Sequence, residues 1–417
     1  MKKYLGSEIT HLHSPNIHVC YTAHLDRTFT EAEAKAAAAL LARRHPSLAY
    51  TVKADESGQK YYDSDGGMET YVQSAVDLLE LYRKVDGAGF AWGKSLVKLY
   101  ILNGESSSDL LLVGHHIIAD GLGYLNLFRD TLAALDGRLP ADVCAIPENN
   151  ALVGSKPGFL LGLYASGLNK KWAKQGQTFA EEDYRRFFAE YRKQNIPQVM
   201  LGQIGGGFIS RLHETCKKQQ ISVNEAICTA FARAIFAVQE RASLRVGAAA
   251  STRPAMKIPA PDTLGNFTTG IAVTVGGAEE VTGKLRGKLN DPKIRYQVVQ
   301  LLGKLSRPLI ESVMYAAYSD YDAPVSCQLA ETLGERRTDK SVGFTNLGVQ
   351  DFGSYAFTVS NVQFIGPVFP QNFLTVGVMT VGDTLKFCLR YNTPETGSEE
   401  IAAIYDKAVE CLELFCH

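Results

Sequence analysis

His115-His116-Ile117-Ile118-Ala119-Asp120-Gly121 is the stretch on which the reading of this chain turns. The run before it, Leu110–His116 (LLLVGHH), is apolar and strand-like. Gly121 to Leu135 follows with Leu122, Leu125, Phe128, Leu132 and Leu135 at helical spacing and Gly137 past the end. Successive side chains on a strand point to opposite faces, so one of the two histidines should face a cleft and the other pack inside. The Asp-Gly step predicts a tight turn into the helix, where Asp120 can cap backbone donors or pair with a buried cation. A neutral imidazole at a strand end, its second nitrogen held by a backbone carbonyl, suits proton abstraction near neutral pH.

Outward from this stretch, helical and strand patterns alternate along the chain, which predicts mixed α/β architecture. Leu96–Leu102 (LVKLYIL) pairs naturally with Leu110–His116 across the turn-rich NGESSSD. Upstream, Thr30 and Glu33 form a capping-box pattern for a helix over Glu31–Arg44, stopped by Pro46. A second capping box, Ser222 with Glu225, opens a helix through Ala226, Ile227, Phe231, Ile235 and Val238. Strand-like runs lie at Ile271–Val275 and Phe357–Phe364. FLTVGVMT and TLKFCLRY read as a hairpin turning at Gly382–Asp383, and a helix from Ser398 closes the chain. These elements divide into an N-terminal lobe over 1–165, a linker region over 166–200 and a C-terminal lobe over 201–417. The stretch from about 140 to 200, with Pro140, Pro147, Pro157 and Pro197, is the hardest to assign.

Composition narrows the function. The 417 residues are 46% hydrophobic and 21% charged, a profile that excludes disordered and fibrous classes. A formal net charge of −1 gives no general basic surface for nucleic acid, and the aromatic content marks no base-stacking platform. Gly158 to Leu168 is the longest mostly apolar run, short of the roughly 20 residues a membrane span needs, and it reads as a core helix. No apolar stretch follows Lys2 and Lys3, so no signal peptide is expected. The eight cysteines contain no CxxC pair and read as reduced thiols of a cytoplasmic protein. His11, His13, His18 and His24 lack metal-ligand spacing and read as isolated surface or core residues; no metal site is expected. Gly202–Gly207 lacks the spacing of a phosphate-binding loop, and no GxSxG supplies a serine nucleophile.

HHIIADG resembles HHxxxDG, the signature of nonribosomal peptide synthetase condensation domains, alcohol acetyltransferases and polyketide-associated acyltransferases. Further stretches are similar to that family in its own order: ALLARRHPSL (39–48), ISVNEAICTAFARAI (221–235), STRP (251–254), TLGNFTTGI (263–271) and FTNLG (344–348), with Thr345 in place of a serine. The resemblance implies two chloramphenicol-acetyltransferase-like α/β lobes forming a V with a central tunnel. It implies His116 as general base, His115 and Gly121 as supporting motif positions, and Asp120 in a mainly structural role with Arg253 as partner. Thr345 and Asn346 would face the acyl or acceptor group. The implied reaction moves an acyl group from a thioester to an alcohol or amine. No permanently bound cofactor is implied; an acyl-coenzyme A or acyl-carrier thioester would be co-substrate. The partners would be a small-molecule acceptor and, for a carrier-borne donor, an acyl carrier protein. Two other readings use the same residues: a catalytically silent binding protein, and a hydrolase with water as acceptor. Asp351-Phe352-Gly353-Ser354-Tyr355 partly echoes the plant enzymes' DFGWG and departs from it at the last two positions.

Overall fold

The apolar run ahead of His115 is the middle strand, Ser108–His115, of a five-stranded sheet. Its neighbours are His18–Leu25 and Val97–Asn103, both antiparallel to it, with Glu69–Ser74 at one edge. The computed structural model describes residues 2–144, 158–256, 260–336 and 339–417. Among them are fourteen α-helices and three sheets, arranged as two α/β lobes. Pro147 and Pro157, part of the stretch hardest to assign from sequence, lie outside the described residues.

The helix after the motif runs Gly121–Leu135, with the Asp120 side chain accepting from the Gly123 N–H at its start. Its Tyr124 lies directly beneath the strand because residue 114 is glycine: a Cβ there would stand 2.0 Å from the Tyr124 hydroxyl. That hydroxyl instead donates to the His115 carbonyl at 2.9 Å, tying helix to strand just before the turn. Both expected capping boxes are present, at Thr30 with Glu33 and at Ser222 with Glu225. The Glu31–Arg44 helix ends in Arg44 and His45. Arg44 pairs with Asp130 at 2.8 Å and with Asp262 at 2.6 Å, and His45 contacts Asp130 at 2.6 Å. The Arg-His-Pro ending thus holds the Gly121–Leu135 helix and reaches across to the loop that carries Asp262.

The second lobe is a six-stranded sheet in the order Thr268–Val275, Leu244–Ser251, Ser341–Gln350, Asn372–Val381, Thr384–Thr393, Ile196–Ile204. Helices Val223–Gln239 and Ser398–Phe415 cover one face with a separate apolar core. The other face meets the first lobe. The lobes are not consecutive pieces of chain. Val359–Ile365 leaves the second lobe and pairs with His18–Leu25 at the edge of the first sheet. Residues of helices Arg307–Tyr318 and Pro324–Leu333 likewise pack in the first lobe's core.

The 166–200 stretch holds the second half of one helix, Phe159–Trp172, all of another, Glu181–Gln194, and the start of the Ile196–Ile204 strand. The Gly158–Leu168 run is a helix but not a core helix. Phe159 and Leu160 are 79% and 78% exposed, while Ala165, Leu168 and Trp172 are buried. Those three recur at three- and four-residue spacing and form the packed face, with Leu161 and Tyr164 partly buried against the same core.

Candidate active site

The chain passes from strand to helix at the meeting of the two lobes, and the two histidines part there. His115 turns inward: it is 1% exposed, and its Nδ1 accepts from the Ile117 N–H at 3.1 Å. Burial drives its pKa well below 6.5, with His18, His11 and His116 adding to the effect. It is a neutral packing residue. His116 lies just past the strand end, its own N–H donating to the Ile17 carbonyl at 2.9 Å. Its ring faces the other lobe, where Phe369 stands 6.4 Å away between centroids.

The partner of His116 is a side-chain amide, not the backbone carbonyl anticipated from sequence. Nδ1 lies 2.7 Å from Oδ1 of Asn266, in the TLGNFTTGI stretch. Asn266 has no freedom to present its other end, because its Nδ2 donates to the Ile117 carbonyl at 3.1 Å. An acceptor against Nδ1 requires Nδ1 to carry the proton, which leaves Nε2 as the proton-accepting nitrogen. Burial lowers the His116 pKa from 6.5, partly offset by the charge of Asp120 and the bond to Asn266, so the ring is neutral at pH 7. Any rate that depends on neutral His116 should hold down to a pH below 6.5 before its acid limb falls. In Asn266→Asp the added carboxylate stabilises the imidazolium and moves that limb to higher pH. Asn266→Leu removes the tautomer lock and should cost about tenfold in kcat/KM, roughly one hydrogen bond's worth. Both shifts are read from pH profiles of kcat/KM.

Asp120 is the clasp between the lobes. The carboxylate is 1% exposed and meets four donors. Oδ1 accepts from the Gly123 N–H at 2.8 Å and from Arg253 Nη2 at 3.2 Å; Oδ2 accepts from the Phe267 N–H at 3.0 Å and the Thr268 hydroxyl at 3.1 Å. The Asp120 N–H donates to the Gly265 carbonyl at 3.0 Å. Arg253 was the expected partner, and its guanidinium also lies over the Phe267 ring, 4.5 Å from the centroid. Gly121 sits where the lobes touch: its carbonyl accepts from the Tyr21 hydroxyl at 2.8 Å, and a Cβ would come within 3.4 Å of Leu347.

Thr345 and Asn346 do not act as a pair. Thr345 lies opposite Gly377 and, in the next strand, Cys388, on the face that meets the first lobe. Asn346 lies opposite Val378, which belongs to the other core, and its Oδ1 accepts from the Gly348 N–H at 2.8 Å. Strand alternation therefore takes Asn346 away from the cleft. The Asp351–Tyr355 segment is a structural latch. Arg129 donates to the Asp351 carbonyl at 2.9 Å, and Phe352 packs edge-on against Phe128.

Sequence reasoning passed over two residues. Asn266 lay inside a stretch quoted for its likeness to the family, but nothing in its local pattern joins it to a histidine 150 positions away. His11, read as isolated, is a ring neighbour of His116, with centroids 4.5 Å apart at 38°. Burial, then His116, holds its pKa well below 6.5, so it lies against His116 as a neutral ring. No group of His, Cys, Asp and Glu suited to a metal ion occurs among the described residues.

No family model matches the sequence, and no curated protein matches it either. Comparison with solved structures defines the class of fold: the chain has the two-lobed, chloramphenicol-acetyltransferase-like architecture of condensation domains. The trichothecene 15-O-acetyltransferase TRI3 of Fusarium sporotrichioides superposes with a TM-score of 0.68 at 11% identity, over 99% of this chain and 95% of that one. The first condensation domain of the calcium-dependent antibiotic synthetase gives 0.62 at 14% identity, over 100% and 96%. The epimerization domain from the third module of tyrocidine synthetase B gives 0.63 at 15% identity, also over 100% and 96%. The fold spans the whole chain, and these relatives carry more than one chemistry on it.

Proposed function

We propose that this protein is an acyltransferase that moves an acyl group from a thioester to an alcohol or amine, with His116 as general base. The observation that carries the reading is the Asn266 bond to Nδ1, which leaves a buried, neutral ring with Nε2 free to accept a proton. Nε2 takes the proton of the acceptor hydroxyl or amine as its oxygen or nitrogen attacks the thioester carbonyl. The tetrahedral oxyanion collapses, the carbon–sulfur bond breaks, and the departing thiolate recovers the proton from the imidazolium. The proton balance closes on one histidine, and the step needs no metal or prosthetic group. The donor is an acyl-coenzyme A or an acyl chain on a carrier protein. The acceptor is a small molecule, and the working place is the cytoplasm, in keeping with eight free cysteines.

Thiol release from a panel of acyl-coenzyme A and acyl-carrier donors, with and without mixed alcohols and amines, tests the proposal. Release that requires an acceptor supports transfer. Equal release without one converts the reading to thioester hydrolysis. No turnover of any donor leaves a silent binding protein and sinks the enzymatic reading.

A further inference from the structure

The helix Phe159–Trp172 has one covered side and one bare side. Ala165, Leu168 and Trp172 pack into the first lobe's core. Phe159 and Leu160 are instead the two most exposed large apolar side chains among the described residues, and Leu163, one turn on, is 54% exposed. With 3.6 residues per turn these three fall within one sector of about 100°, opposite the packed residues. Single exposed leucines are ordinary, but three large apolar side chains grouped on one face mark a surface that meets something apolar.

Farther along, the same face turns from apolar to basic. Ser166 and Gly167 follow without bulk, then Lys170 and Lys171 in the last turn and Lys174 just beyond, all exposed. From Asn149 to Ala180 the chain carries four lysines and no carboxylate, in a protein whose net charge is −1. The fold adds another: Asn169 Nδ2 donates to the carbonyl of Lys304, itself exposed, at 2.9 Å. The helices Gln297–Leu302 and Pro324–Leu333, which pack against this one, bring one carboxylate between them, Glu331. This pattern chooses among occupants. In a two-fold pair with a second copy, antiparallel helices would set leucines against lysines, and parallel ones lysines against lysines. An anionic bilayer takes both ends at once: apolar side chains enter the acyl boundary while lysines stay among the headgroups. A helix of 14 residues is too short to span, so it would lie in the interface.

We propose that the exposed face of the Phe159–Trp172 helix docks this protein on an anionic membrane surface, with Phe159, Leu160 and Leu163 inserted and Lys170, Lys171 and Lys174 among the headgroups. None of these residues belongs to the His116 site, so the docking stands whether or not the protein transfers acyl groups.

Flotation of the full chain with lipid vesicles is the test. Wild type floats with phosphatidylcholine vesicles that contain phosphatidylserine, and binds phosphatidylcholine alone about tenfold or more weakly. Added salt narrows that difference by screening the lysines. Leu160→Ser lowers the partition about tenfold or more, as withdrawal of one large apolar side chain requires. Lys170→Glu combined with Lys174→Glu removes the preference for phosphatidylserine. All of these positions are exposed, and circular dichroism confirms that each variant is folded. Wild type that does not float with phosphatidylserine vesicles, or variants that float as well as it does, overturn the proposal. A dimer that dissociates in Leu160→Ser, with no flotation, gives the face to a second copy and overturns it equally. If flotation holds while no thioester turns over, the docking stands and the acyl-transfer reading alone fails.

Discussion

His116→Ala is expected to lower thioester turnover by roughly 10²–10⁴-fold while leaving the fold intact, the range that positioned proton transfer contributes. The loss should appear in kcat and in kcat/KM together, because in the proposed mechanism Nε2 acts only as the acceptor proton moves. The variant should remain folded. The ring is held by one side-chain bond to Asn266, and truncation leaves an amide that still donates to the Ile117 carbonyl. His115→Ala would not reproduce this result, since that ring packs inside the first lobe beside Phe90 and His18. Circular dichroism and thiol release on the same preparations separate the two effects. Wild-type turnover in His116→Ala would remove the histidine from the mechanism.

Asp120→Ala should do the opposite: a large loss of stability from which any loss of activity follows. The substitution deletes a helix cap, worth about 1 kcal/mol, and strips the acceptor from the buried Phe267 N–H. It also leaves the Arg253 guanidinium, 13% exposed, without its carboxylate. Breaking a buried pair from one side costs about 3–5 kcal/mol, and that is the scale expected in denaturant unfolding. Asp120→Asn keeps the cap acceptor and should lose less. A wild-type unfolding midpoint in Asp120→Ala, combined with lost turnover, would move Asp120 from clasp to chemistry.

The legible parts of this protein were those specified locally. The helix over Gly121–Leu135, both capping boxes and the hairpin turning at Gly382–Asp383 follow from spacing, cap residues and turn residues a few positions apart. The opposed directions of His115 and His116 follow from strand alternation in the same way. The Asp120–Arg253 pair was legible only through likeness to a family. The apolar Gly158–Leu168 run misled, because composition records how apolar a segment is and not which of its faces finds a partner.

By itself, then, the sequence determined the mixed α/β class, the caps and turns, and a histidine delivered to the end of an apolar strand. Tertiary structure alone decided what that histidine can do. Asn266 sets its tautomer, His11 lies against it, and Arg390 meets Asp86 over a separation of 304 residues. Asn346 was lost to the cleft by register, and Val359–Ile365 crossed to the first lobe's sheet. The reason is physical: periodicity and capping act within a few residues, whereas desolvation and side-chain pairing depend on which surfaces the folded chain brings together.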